Sequence, residues 1–252
     1  MKKLTLLSLF FLFTITLPAQ LDEDIPEMIT DRPDQTESAY IVPQGFYQLE
    51  AGILCDRFSK NNRVLSAPTA LLRIGLFSHA ELRIGTDMLI ERDGLQQKGL
   101  SPLSIGAKTL INEGEGWKPR IAVIAALTIP ETGKSAFKQE HLTPELLFAF
   151  ENVLNDRLSI GYNAGFIWED YYYRTLTYYS LVAGIGLTDK LNTFVEWYGF
   201  YAPNLNGDNR IDGGFTYSVR HNLQVDISFG MGLSDISPEG LLGLGVSWRI
   251  PE

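Results

Sequence analysis

The stretch Tyr47-Gln48-Leu49-Glu50-Ala51-Gly52-Ile53-Leu54-Cys55-Asp56 decides the fold. Tyr47, Leu49, Ala51, Ile53 and Cys55 form one apolar row, while Gln48, Glu50, Gly52 and Asp56 lie opposite. Successive side chains of a strand point to opposite faces, so the alternation reads as a β-strand with two unlike faces. Eleven further segments repeat it, with apolar rows through 70–76, 82–90, 103–111, 121–129, 144–150, 160–168, 179–187, 193–201, 213–219, 223–231 and 242–250. The twelve rows hold 57 positions and none is charged, although 20% of the chain is Asp, Glu, Lys or Arg. The charge sits on the opposite rows: Glu50, Arg73, Glu81, Arg83, Asp87, Lys108, Arg120, Glu145, Glu151, Glu196, Asp212, Asp226 and Arg249.

A soluble sandwich or lipocalin-like barrel also alternates, with its apolar face turned inward. Three features favour a membrane barrel. The alternation persists for about 9 to 13 residues per segment, the length needed to cross a bilayer at a tilt, whereas soluble strands centre near 5–6 residues. Short connections near 77–79, 154–156, 188–190 and 220–222 interleave with generally longer ones at 93–98, 131–140, 202–209 and 234–239, the rhythm of periplasmic turns and outer loops. Two connections depart from that rhythm: 112–117 is long for a turn and 169–173 is short for an outer loop. Finally, Tyr47, Trp168, Trp197, Tyr201, Tyr217 and Trp248 lie on apolar rows, several near strand ends, where interfacial aromatics belong. The expectation is an all-β fold: an antiparallel transmembrane β-barrel of about 12 strands over 45–252, with both ends in the periplasm.

Residues 1–20 carry Lys2 and Lys3, a mostly apolar run to Leu17, and Pro18-Ala19-Gln20 at a plausible cleavage point. This reads as a signal peptide, too short for a spanning helix, and implies export to the cell outer membrane. Residues 21–44 are acidic and aperiodic, and are expected to form an irregular periplasmic segment. The net charge is -9, or -11 without the leader, with 19 basic against 30 acidic residues. That balance argues against nucleic acid as a partner. Cys55 is the only cysteine, so no internal disulfide can form.

The run Ile29-Thr30-Asp31-Arg32-Pro33-Asp34-Gln35-Thr36-Glu37-Ser38, followed by Val42-Pro43-Gln44-Gly45-Phe46-Tyr47-Gln48-Leu49-Glu50-Ala51-Gly52, resembles the opening of the outer-membrane family named for a MetA pathway of phenol degradation. Pro130-Glu131-Thr132-Gly133 resembles a strand-end motif that recurs in it. The resemblance implies an outer-membrane barrel, often labelled a transporter, in Gram-negative bacteria. It supplies no substrate. The tail Trp248-Arg249-Ile250-Pro251-Glu252 departs from the aromatic ending of many such barrels.

The inward charges Glu50, Arg73, Glu81, Arg83, Asp87, Lys108, Arg120, Glu145, Glu196, Asp226 and Arg249 are therefore the candidate lumen lining. Mixed charge can line a water-filled, porin-like path for a small-molecule solute. It can equally pair across a narrow interior and give a closed structural barrel, because unpaired buried charge is costly. Asp31, Arg32, Asp34 and Glu37 are candidates for a plug that pairs with lumen charges, or for a polar lead-in that only caps the barrel. Of the three histidines, His79 and His221 fall in short turns, and no partner for His141 can be read from sequence. Without a nucleophile–base pair, a zinc-like cluster or a phosphate loop, no catalytic residue, metal or cofactor is expected. The acidic loop 204–209 lacks the full ligand series of a calcium loop and reads as a solvated turn. The outer loops, roughly ten residues or fewer, offer little surface for adhesion, leaving membrane lipid as the expected partner.

Overall fold

The computed structural model describes residues 26–170, 174–203 and 206–251; the expected leader lies outside them. Among the described residues, thirteen strands form one antiparallel sheet. In chain order they are β1 Tyr47–Arg57, β2 Asn62–Phe77, β3 Ala80–Asp93, β4 Leu95–Leu100, β5 Leu103–Asn112, β6 Arg120–Ile129, β7 Thr143–Asn155, β8 Leu158–Glu169, β9 Arg174–Gly186, β10 Leu191–Tyr201, β11 Asp208–Arg220, β12 Leu223–Gly232 and β13 Gly240–Ile250. β1 pairs with both β2 and β13, and β2 pairs with β3, so the sheet closes on itself. Closure leaves no open edge around the ring of β1–β3 and β5–β13, which is what lets such a sheet sit in lipid with its backbone groups paired.

The ring has twelve positions because β4 and β5 share one. Met88–Asp93 of β3 pair with β4, and Ala80–Gly85 of the same strand pair with β5. The shared strand is interrupted at Ser101-Pro102, where proline has no N–H to give. Ser101 bridges the gap: its N–H reaches the Asp87 carbonyl at 2.8 Å, and its hydroxyl accepts the Asp87 N–H at 2.8 Å. The far side is sealed by the 130–133 motif, where the Thr132 hydroxyl accepts the Leu103 N–H at 2.8 Å and the Lys134 N–H reaches the Leu100 carbonyl at 2.9 Å.

Two sequence expectations are corrected here. The connection expected over 93–98 is the tip of a hairpin that turns at Gly94 (φ +70°) and continues as β4. Its alternation was invisible because nearly all of β4 is exposed, so no apolar row is selected. The β6–β7 connection, 130–142, is longer than the expected ten or fewer residues and contains a short 3-10 turn at Ser135–Phe137.

The apolar rows face outward and the charged rows inward. Leu244 is 48% exposed and Trp248 46%, while Arg73 and Lys108 are fully buried. A water-soluble barrel would have the reverse arrangement, because its apolar face must leave water. The barrel has a turn end, with connections at 78–79, 156–157, 187–190 and 221–222, and a loop end carrying 130–142 and the β3–β4 hairpin. The apolar belt gives a test. Val246→Arg, at mid-height, should cost about 2–4 kcal/mol in unfolding from lipid vesicles, and Ile250→Arg, at the turn end, about 1 or less. Equal costs at the two positions would contradict a lipid-facing belt.

Candidate functional site: a charged lumen

Residues 26–44 make no strand; they run inside the turn-end half of the barrel. Small side chains allow the approach: Ala39 packs on Ala122 of β6 and Ala149 of β7, all fully buried. Gly75 of β2 leaves room for the Val42-Pro43 backbone, since a Cβ there would meet the Val42 carbonyl at 2.6 Å. Tyr40 lies under the Arg120 guanidinium, 4.3 Å from the ring centre. The start of the segment is held by Arg249, which donates to the Glu27 carbonyl at 3.1 Å and to the Pro26 carbonyl.

At the centre of these contacts is Asp31. Its carboxylate meets Arg73 of β2 at 3.0 Å, Lys108 of β5 at 2.8 Å and Arg83 of β3. Ser38 donates to it from both N–H and hydroxyl, at 3.1 and 2.7 Å. The Asp31 N–H is received by Glu50 at 3.0 Å. Burial opposes the charged form of Asp31, yet Arg73, Lys108 and Arg83 hold its carboxyl well below the usual carboxylate range. Around it Glu50 pairs with Arg73 at 3.0 Å, and Glu81 with Arg73 at 2.9 Å and Arg83 at 3.1 Å. Glu37 clamps the Arg83 guanidinium through both oxygens at 2.7 and 2.8 Å. Glu81 also accepts the Val42 N–H at 2.6 Å.

A second anchor lies across the lumen. Arg32 makes a two-point contact with Asp226 of β12, at 3.0 and 3.3 Å. Its guanidinium rests in a notch made by Gly52 and Gly245, which face each other across β1 and β13. A Cβ on Gly52 would lie 2.6 Å from the guanidinium, so the notch exists only because both positions are glycine. Glu196 of β10 accepts from the Gln35 N–H at 2.8 Å and from the Thr36 hydroxyl. Asn163 of β8 exchanges two bonds with the Glu37 backbone, at 2.7 and 2.9 Å, and the Tyr178 hydroxyl of β9 donates to the Gln35 carbonyl at 2.6 Å.

Nine of the eleven candidate lumen residues thus touch the segment: Glu50, Arg73, Glu81, Arg83, Lys108, Arg120, Glu196, Asp226 and Arg249. Asp87 and Glu145 do not; they line a chamber of about 330 Å³ on the loop-end side of the segment, with Thr69, Thr86 and Ser104. A second chamber of about 230 Å³ lies on the turn-end side. Arg32 and Glu37 line both chambers.

One expected pairing is corrected. Asp34 meets no cation among the described residues; its nearest charged neighbours are Glu196 and Asp212, and burial together with them pushes its carboxyl well above the ordinary range. Its neighbours three residues either side, Asp31 and Glu37, face the cationic wall of β2, β3 and β5, and the intervening turn points Asp34 the other way.

Sequence reasoning missed Asn163, Tyr178, Ser180, Gln48 and Gln224, the neutral hydrogen-bonding lumen groups. Their signal was available, since each occupies the inward phase of its strand, but only charged residues were selected there. It also missed the inward cluster Ile124, Leu147, Tyr178 and Tyr198, which fills part of the lumen on the β6–β10 side. His141 pairs with Asp170 at 2.8 Å in the loop-end connections, a contact that needs two loops to meet. In the acidic loop, Asp208 and Asn209 prove to open β11, with Asp208 held by Arg210 at 2.6 Å.

The fold has solved relatives. The COG4313 outer membrane channel from Pseudomonas putida F1 superposes with a TM-score of 0.67 at 11% identity, covering 92% of this chain and 100% of that one. The NanC porin gives 0.55 at 7% identity, covering 81% and 100%. No curated protein sequence matches the chain. The family described as "Putative MetA-pathway of phenol degradation" matches residues 30–250. With an inverted barrel, a charged lumen and a match along nearly its whole length, the chain belongs to that family of outer-membrane barrels.

Proposed function

We propose that this protein is an outer-membrane channel for small solutes whose N-terminal segment, 26–44, sits in its own lumen as a plug. The observation that carries the reading is the pair of chambers separated by the Arg32–Glu37 stretch. The barrel wall leaves space at both ends, and what interrupts it is a strand-free segment held by side chains. Two proteins of similar fold are an outer membrane channel and a porin, which agrees with a conducting fold. The turn end, where the segment enters, faces the periplasm, and residues 1–20 are the cleaved leader. Membrane lipid and a small solute are the partners; no catalytic role is assigned to His141 and Asp170. The apolar cluster around Ile124 and Tyr198 narrows the lumen and favours a narrow path over a wide pore.

Single-channel recording in planar bilayers tests the proposal. Deleting 21–40 should raise conductance, and an unchanged conductance in a correctly folded barrel would remove the plug from the reading. Gly245→Val should act in the same direction with a smaller effect, because its side chain takes the Arg32 notch and evicts a flexible guanidinium without disturbing the backbone. Asp31→Asn leaves Arg73, Arg83 and Lys108 facing only Glu37, Glu50 and Glu81. It should cost about 3 kcal/mol of stability, read as an earlier loss of heat-modifiable gel mobility.

The plug should also respond to pH. The docked Asp34 carboxyl is raised, so it binds its proton more tightly docked than free. Its contribution is full below the ordinary value near 3.8 and is lost as pH rises toward the docked value. Asp31 is lowered, so its contribution is full above the ordinary value and is lost only on strong acidification. Open probability should therefore climb as pH is raised from about 4, and Asp34→Asn should flatten that climb.

A further inference from the structure

The loop end of β1, β2 and β3 carries an arrangement on the outside of the barrel that the lumen does not use. Arg57 lies opposite Arg63, and Arg63 opposite Arg92, in the registers of β1–β2 and β2–β3. Residues directly opposite share a face, and like charges placed so are destabilising unless an anion lies between them. All three side chains are exposed. Arg57 has one loose partner, Glu239 at 3.7 Å, with both side chains more than half exposed. Arg63 and Arg92 have no ion-pair partner among the described residues. Lys98 of β4, opposite Ile90, stands beside the row.

The height of the row identifies its surroundings. The outward row below it is Cys55, Leu65 and Ile90, the last apolar row of these strands. From Tyr47, the first outward residue of β1, to Arg57 is ten residues of strand. At about 3.4 Å per residue and a tilt near 40°, that is a rise of roughly 26 Å, the height of the apolar band of such barrels. The arginines therefore stand where hydrocarbon gives way to headgroups. Apart from Glu239, the nearby acids turn away: Glu91 and Asp93 lie on the inward phase of β3, and Asp56 points inward to Arg210 at 3.5 Å.

We propose that Arg57, Arg63 and Arg92, flanked by Lys98, form an exterior site for the phosphate groups of an outer-leaflet lipid. The planar guanidinium suits two-point contact with phosphate oxygens, and the apolar row beneath receives acyl chains. The inference rests on the orientation proposed above, with the loop end outside.

The test uses the full-length protein in nanodiscs of phosphatidylethanolamine containing either bisphosphorylated lipid A or lipid A stripped of its phosphates, followed by native mass spectrometry. The phosphorylated form should be retained about tenfold or more over the stripped form. The combined variant Arg57→Gln, Arg63→Gln, Arg92→Gln should lose that preference while keeping heat-modifiable mobility and wild-type conductance. Arg63→Gln alone should lower it part of the way. Equal retention of both lipid forms, or a preference that survives the triple substitution, overturns the site. Displacement of the lipid by an equal concentration of inorganic phosphate would overturn its assignment to lipid. Wild-type conductance in every arm keeps the channel reading separate from the outcome.

Discussion

The structure turns on a charge problem that the barrel wall cannot solve by itself. Arg73, Arg83 and Lys108 project from β2, β3 and β5 into one buried region, and among the described residues the wall forms ion pairs with them only through Glu50 and Glu81. A buried cation without a partner costs several kcal/mol. Asp31 and Glu37, brought in by the N-terminal segment, supply the missing negative charge and touch all three cations between them. The segment is therefore a component of the barrel's electrostatics and not a lodger in a finished pore. The small residues that admit it, Gly75, Ala122 and Ala149, are shaped to the same end.

The two halves of the lumen are filled by different physics. On the β1–β5 side, ion pairs of 2.5 to 3.4 Å crowd around Asp31. On the β6–β10 side, Ile124, Leu147, Tyr178 and Tyr198 pack as a small apolar core. Ion pairs can exchange partners with water as a segment moves, and their strength falls with screening. An apolar cluster inside a membrane barrel has no such softness, since parting it exposes its surface to lumen water. The segment is ion-paired most densely to the β1–β5 wall and is also bonded to the opposite wall, by Arg32 to Asp226 and by Gln35 and Thr36 to Glu196, so displacing it breaks contacts on both sides.

What could be read from the sequence followed from what repeats. Tyr47 to Cys55 and its eleven companions alternate because lipid and lumen impose opposite demands on neighbouring residues, and a period of two survives without any knowledge of the fold. β4 is illegible for the converse reason: Leu95 to Lys98 are exposed on both faces, so neither face is selected. The nine lumen charges that grip the segment were legible as inward residues. That they grip the segment was not, because residues 26–44 have no periodicity and the nine charges come from eight different strands. Asp34 shows the limit most sharply. Its charge and spacing match those of Asp31 and Glu37, and only the turn of the backbone sends it toward Glu196 and Asp212.

One irregularity links the inner and outer arginines. β2 carries one extra residue against both neighbours, between Ser66 and Thr69, where Ala67-Pro68 bulges from the ladder. A one-residue slip exchanges the two faces of a strand. Below the bulge the odd positions face the lumen, so Arg73 reaches Asp31; above it the odd positions face out, so Arg63 joins Arg57 and Arg92. Had the strand run straight, Arg63 would add a further cation to the inner wall near the loop end, where the segment does not reach. The bulge instead delivers one strand's positive charge to two environments, a buried carboxylate within and the headgroup boundary without. Because the faces exchange only there, removing a single residue at 67 or 68 should upset the outer row and leave the Asp31 cluster in place.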